Sequence, residues 1–191
     1  MRRIGLFGGA FDPVHLGHLL VARAALEALD LDRLCFIPAA QSPFKQDRQH
    51  APAPERLRWL RLALAGQTWA AVDDQEIRRG GVSYSVATVR DYARRFPEAE
   101  LFYLVGADNV AKLPAWCEAA ELARLAEFVA IPRPGAPLAD FPPPFRGRTL
   151  PGFACGISSS QIRARVRAGQ LIDTLVPPAV AEAIGNSRLY L

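Results

Sequence analysis

Apolar residues in this chain gather into short continuous runs, and between the runs they recur at helical spacing. Ile4 to Phe7 is such a run and ends in glycines, while His18 to Leu29 places Leu19, Ala22, Leu26 and Leu29 on one helical stripe. Strand, glycine turn and helix are predicted in that order. The pattern recurs with Leu34 to Ile37 as a strand, Pro54 to Ala65 and Tyr84 to Phe96 as helices, then Leu101 to Val105 and Phe128 to Ile131 as strands. Strands apolar throughout must be covered on both faces, so the prediction is an α/β fold: a Rossmann-like, doubly wound parallel sheet with helices on both faces and a small C-terminal helical part. On the helix from Pro54, Leu57, Leu60 and Leu64 share a face, which leaves Arg56, Arg58 and Arg61 to a solvated basic side. Trp59 and Trp69 read as packing residues.

Two stretches interrupt this rhythm. Gln41 to Pro54 is polar with three prolines, and Pro132 to Pro151 holds seven, so both are predicted to be surface loops. No repeat is present, and 191 residues, half of them apolar, fit one domain over 1–191.

Charge and cysteines narrow the function classes. The formal charge of +4, from 23 basic and 19 acidic residues, is too mild and too dispersed to argue nucleic-acid binding, although it suits phosphate-bearing ligands. Cys35, Cys117 and Cys155 are widely spaced and form no CxxC pair, so they read as free thiols in a reducing compartment. Met1-Arg2-Arg3 runs straight into a glycine turn, and no stretch approaches the roughly 18 apolar residues of a membrane span. The expectation is a cytoplasmic protein with no membrane partner.

The densest candidate cluster is Gly8-Gly9-Ala10-Phe11-Asp12-Pro13-Val14-His15-Leu16-Gly17-His18, between the first strand and the first helix. Glycines let backbone approach a ligand, Asp12-Pro13 makes a turn, and both histidines arrive where free amide N–H groups favour phosphate. The spacing matches neither GxGxxG nor the P-loop. A half metal site through HxxH finds no third ligand nearby, since His50 belongs to a proline-rich loop. A second cluster, Gly156-Ile157-Ser158-Ser159-Ser160-Gln161-Ile162-Arg163 with Arg165 and Arg167, reads locally as a capping box of Ser158 with Gln161. Three hydroxyls beside Arg163 at a helix start also suit a polyphosphate. In the third, Gly106-Ala107-Asp108-Asn109 follows a strand, with Trp116 beyond. Asp108 could bond a ribose or cap a helix, and Trp116 could stack on a flat ring or pack in the core.

In order and spacing, GGAFDPVHLGH, SPFK at 42 to 45, RGGVSYSVATV, GADN with its tryptophan, and ISSSQIR together resemble the bacterial nicotinate-nucleotide adenylyltransferases. HxGH and ISSxxIR mark the wider nucleotidyltransferase superfamily, and YS, GAD and W the narrower family. The resemblance implies catalytic roles for His15, His18 and Arg163, with ATP also held by Gly8, Gly9, Phe11, Gly106, Asp108, Ser158 and Ser159. It implies that Ala10, Lys45, Ser85, Trp116 and Cys117 meet the mononucleotide. The chain departs from the family at Phe44, where histidine is frequent, at Ser85, where threonine is common, and at Cys117, where an aromatic often follows the tryptophan.

The implied reaction is adenylyl transfer from ATP to nicotinate mononucleotide in NAD biosynthesis, with Mg2+ held mainly by substrate phosphates and no protein metal site. The attacking phosphate is already anionic, so no general base is needed. Nicotinamide mononucleotide and phosphopantetheine are other acceptors for the same ATP motifs, against which Trp116 and Ser85 point to a pyridine. A noncatalytic nucleotide-binding regulator is the reading from another class, and His15, His18 and Arg163 argue against it. A homo-oligomer is left open.

Overall fold

The computed structural model describes residues 2–43, 50–132, 134–135, 140–152 and 155–191. Among these, six strands form one fully parallel sheet in the order β3-β2-β1-β4-β5-β6. They are β1 (Arg3–Gly9), β2 (Arg33–Pro38), β3 (Ala70–Val72), β4 (Glu100–Gly106), β5 (Glu127–Ile131) and β6 (Gly147–Thr149). The helices are α1 (Leu16–Ala28), α2 (Ala53–Ala63), α3 (Gln75–Arg79), α4 (Ser85–Arg95), α5 (Ala107–Val110), α6 (Ala119–Leu125), α7 (Ser159–Arg167) and α8 (Pro178–Ser187).

The apolar runs are continuous because the sheet has a core on each face. Successive strand residues point to opposite sides, so Phe7, Phe36 and Phe102 pack toward Trp59 of α2 and Ile184 of α8, while Leu6, Cys35 and Tyr103 pack toward Val89 of α4 and Leu122 of α6. Chain connections leave β1 in one direction and β4 in the other. This reversal opens a crevice beyond the carboxyl ends of those two neighbours, which is where open parallel sheets bind ligands.

The strands and helices predicted from periodicity are present with small shifts at their ends. Both edge strands went unpredicted, and β6 lies inside the stretch expected to be loop. Each has three residues, AAV and GRT, too few to show a period, and they join the sheet by backbone pairing. At Gly147 a Cβ would come within 2.4 Å of the Phe128 carbonyl oxygen and 2.6 Å of the Phe141 ring, so β6 pairs only because its first residue is bare backbone. Among the described residues no helix is long and apolar enough to cross a membrane.

The solvated side expected for α2 needs one correction. Arg58 and Arg61 are exposed, but Arg56 is only 2 % exposed. Its guanidinium donates to four carbonyls: Nε to Ala51 at 2.9 Å, Nη1 to Ala10 at 2.7 Å and Ala39 at 2.8 Å, and Nη2 to Ala40 at 3.2 Å. Arg56 stands on the buried stripe of Trp59, Leu60 and Ala63, but a charged residue there reads as solvent-facing, because what satisfies it inside is carbonyls from the β1 and β2 exits and from Ala51. A buried charge is tolerated only when bonded in this way, and burial lowers the Arg56 pKa from its usual value. Replacement by methionine keeps the stem and orphans the carbonyls. Urea unfolding of Arg56→Met should show a loss of about 3 to 5 kcal/mol, against about 0.5 kcal/mol or less for Arg58→Met. Equal losses would remove the clamp.

Candidate functional site

The crevice is two adjoining clefts of about 430 and 440 Å3, which share the backbone of Gly8, Gly9 and Ala10 from the β1 exit and Gly106, Asp108 and Asn109 from the β4 exit. Each falls in the range of a small-ligand site. The shared rim is where two occupants would touch.

In the first cleft the histidines cap α1. His15 is the N-cap, extended at φ −147° and ψ 168°, and its Nδ1 accepts from the His18 amide at 3.3 Å. His18 Nδ1 accepts from the His15 amide at 3.2 Å, which completes a capping box made of two imidazoles. The rings stack 3.6 Å apart, and the ring of Phe11 meets His18 nearly edge-on at 5.1 Å. Because both Nδ1 atoms accept, the neutral rings carry their hydrogen on Nε2. Phe11 lines the same cleft, but its ring is buried and its backbone has a φ of +47°.

Opposite stands the start of α7. The capping box read from the sequence is there, with Ser158 Oγ accepting from the Gln161 amide at 3.3 Å and Gln161 Oε1 accepting from the Ser158 amide at 3.1 Å. Ser159 Oγ donates to the Pro13 carbonyl at 2.9 Å, and Arg163 Nη1 to the Asp12 carbonyl at 2.6 Å. These bonds dock α7 on the first loop, so two helix N-termini, two imidazoles and a guanidinium face one space. Such a concentration of donors is chemistry for a polyanion.

Sequence reasoning missed what holds this arrangement. Asp12 was read as a turn former, yet its buried carboxylate joins three distant segments. Oδ1 accepts from the Ala51 amide at 3.2 Å and from the Tyr190 hydroxyl; Oδ2 accepts from His50 Nδ1 at 2.8 Å and lies 3.6 Å from Arg163 Nη1. His50, set aside as a loop residue, lines the first cleft. Tyr190 and Asp12 are 178 positions apart, beyond any local pattern.

The second cleft is walled by Ser83 and Ser85 on one side and by Trp116 and Cys117 on the other, with Tyr103 between. Trp116 is half-buried and meets Tyr103 and Phe128 edge-on at 6.1 and 6.3 Å, so it packs on the core and lines the cleft as well. The loop before α4 is fixed by a buried carboxyl that the sequence did not single out. Glu76 Oε1 accepts from Thr88 Oγ1 at 2.6 Å, and burial raises the Glu76 pKa above the usual carboxyl value, while hydrogen bonds from Thr88 and Ser83 oppose the rise. Ser83 in turn accepts from the Ala40 amide at 2.9 Å and donates its own amide to Gln41 at 2.8 Å. Thus the β2 exit and this loop are bonded to each other. Gly106 caps α5 and exposed Asp108 sits in its first turn. Lys45 lies outside the described residues.

A family model described as cytidylyltransferase-like matches residues 6–165. The chain is 44% identical over 188 residues to a protein of Thermus thermophilus named "Probable nicotinate-nucleotide adenylyltransferase", covering 98% of this chain and 99% of that one. A protein of the same name from Geobacillus thermodenitrificans is 42% identical over 190 residues, covering 100% of this chain and 87% of the relative. The fold is similar to that of a Plasmodium falciparum nicotinic acid mononucleotide adenylyltransferase solved with NaAD, with a TM-score of 0.82 at 17% identity over 100% and 98% of the two chains. On full-length identity of this order, and on a fold whose donors converge at the matched motifs, the chain belongs to the nicotinate-nucleotide adenylyltransferase family.

Proposed function

We propose that this chain transfers the adenylyl group of ATP to the phosphate of nicotinate mononucleotide, giving nicotinate adenine dinucleotide and pyrophosphate. The observation that carries the reading is the pair of clefts with a common rim: donors for a polyanion in one, an aromatic wall in the other, and bare β1 backbone between. An oxygen of the acceptor phosphate attacks the α-phosphorus of ATP, a new P–O bond forms, and the bond to the β-phosphate oxygen breaks with pyrophosphate taking the electron pair. The nucleophile is anionic, so the residues need to align two anions and neutralise the leaving group, and no enzyme nucleophile takes part.

In this reading His15 and His18 give Nε2–H to the ATP phosphates, and Ser158, Ser159 and Arg163 close on the other side. Gly106 and Asp108 sit by the adenosine. Ala10, Ser85, Trp116 and the Cys117 backbone receive the mononucleotide, with Lys45 in the adjoining loop. Among the described residues no three His, Cys, Asp or Glu side chains converge as a metal site. The cationic and N–H donors of the first cleft suit a triphosphate, and magnesium arriving on it would add charge neutralisation.

Pyrophosphate release with ATP and each candidate acceptor tests the function. Nicotinate mononucleotide should be used with kcat/KM roughly tenfold to a few hundredfold above the nicotinamide form, because amides facing a carboxylate would lose a partner against a carboxamide. Equal values would contradict the acceptor. For the histidine role the informative variant is His18→Asn, whose side-chain oxygen can stand in for Nδ1 in the cap while Nε2–H is lost. Turnover should fall by about 100- to 1000-fold with unfolding free energy within about 0.5 kcal/mol of wild type. Undiminished turnover would end that assignment.

A further inference from the structure

Tyr103 has no part in the assignments above, yet in the second cleft it meets Ser85, Trp116 and the Gly8 backbone. Its side chain leaves β4 on the α4 side, only 6 % of the residue is exposed, and its hydroxyl lies 2.8 Å from Ser85 Oγ. A Cβ placed on Gly8 would come within 2.5 Å of the phenol oxygen, so that oxygen rests directly on the β1 backbone that rims both clefts. The ring meets Trp116 edge-on at 6.1 Å and lies tilted against Phe128 at 5.3 Å. One side chain therefore spans the rim, the α4 start and the tryptophan wall.

The chemistry of the hydroxyl pair gives it a direction. Burial pushes the phenol above its ordinary pKa, so it stays a neutral donor. A phenol is a stronger donor than an alkanol, and an alkanol oxygen is the better acceptor. Tyr103 therefore donates, Ser85 accepts, and the Ser85 O–H is left to point into the cleft that both residues line. A donor polarised by a second hydroxyl bonds an anionic oxygen more strongly than a neutral carbonyl.

We infer that Tyr103 is a specificity-determining positioning residue: through the Ser85 hydroxyl and the Trp116 ring it fits the acceptor cleft to a pyridine bearing a carboxylate. This rests on the proposed adenylyl transfer. It also gives Ser85 a role that the serine shares with a hydroxyl contributed by β4.

The test is Tyr103→Phe, which removes one atom and keeps the ring, with Ser85→Ala and the double variant. Steady-state kinetics are measured with nicotinate and nicotinamide mononucleotides and with ATP varied. Tyr103→Phe should raise the acceptor KM by about fivefold to tenfold, leave the ATP KM within about twofold, and shrink the nicotinate-to-nicotinamide ratio of kcat/KM by about threefold or more. Ser85→Ala should do the same, and the double variant no more than either alone. An unchanged ratio, additive losses, or an equal loss with both acceptors and ATP would overturn the inference. Wild type that uses neither acceptor would instead defeat the functional reading itself, so the two failures are distinct.

Discussion

The buried carboxylate of Asp12 is the interaction on which the site depends. A charge held at 2 % exposure is costly unless it is fully bonded, and here every partner comes from somewhere else in the chain: Ala51 and His50 before α2, Arg163 on α7, Tyr190 near the C-terminus. The penalty for leaving any of them is what fixes their positions. Arg56 acts in the opposite sense and on the same loop, binding the Ala10 carbonyl while it holds Ala39 and Ala40. Two buried charges of opposite sign, one in the segment and one on α2, thus hold Ala10 to Asp12 in place.

With that segment fixed, the chemistry follows from backbone geometry. The turn delivers His15 and His18 as a mutual cap, which turns each Nδ1 inward to the helix and sets the hydrogen on Nε2. The α7 start is drawn onto the same loop by Ser159 and Arg163. Donors already aimed need no reorganisation as charge develops, which is the principal means by which such a site can accelerate transfer between two anions. On the far side of the rim, Glu76, Ser83 and Ala40 tie the acceptor loop to the β2 exit, so the two clefts keep a common frame.

Sequence patterns exposed the sheet because parallel strands buried on both faces must be apolar throughout, and they exposed the two helix starts because glycine, histidine and serine are chemically distinctive there. Ser158 shows that a helix cap and a cleft wall can be the same turn, since its capping box is formed and the residue lines the first cleft. Trp116 likewise both packs and lines. What stayed hidden was of another kind. Arg56 shares a helical stripe with Trp59, Leu60 and Ala63, but its charge argues for solvent, and only carbonyls from other segments explain its burial. Asp12, His50 and Tyr190 are ordinary residues alone, and their meaning arises from contacts 38 and 178 positions apart. The three-residue edge strands carry too few side chains to declare themselves.

The central claim is that the acceptor oxygen reaches the α-phosphorus directly across the shared rim, with the two histidines as donors and never as nucleophiles. It can be read from stereochemistry. ATP carrying sulfur at the α-phosphorus in one defined configuration is converted to dinucleotide, and the configuration of the product is determined by phosphorus NMR. A single in-line displacement gives inversion. Retention would mean two displacements through an adenylylated side chain, and would contradict the account.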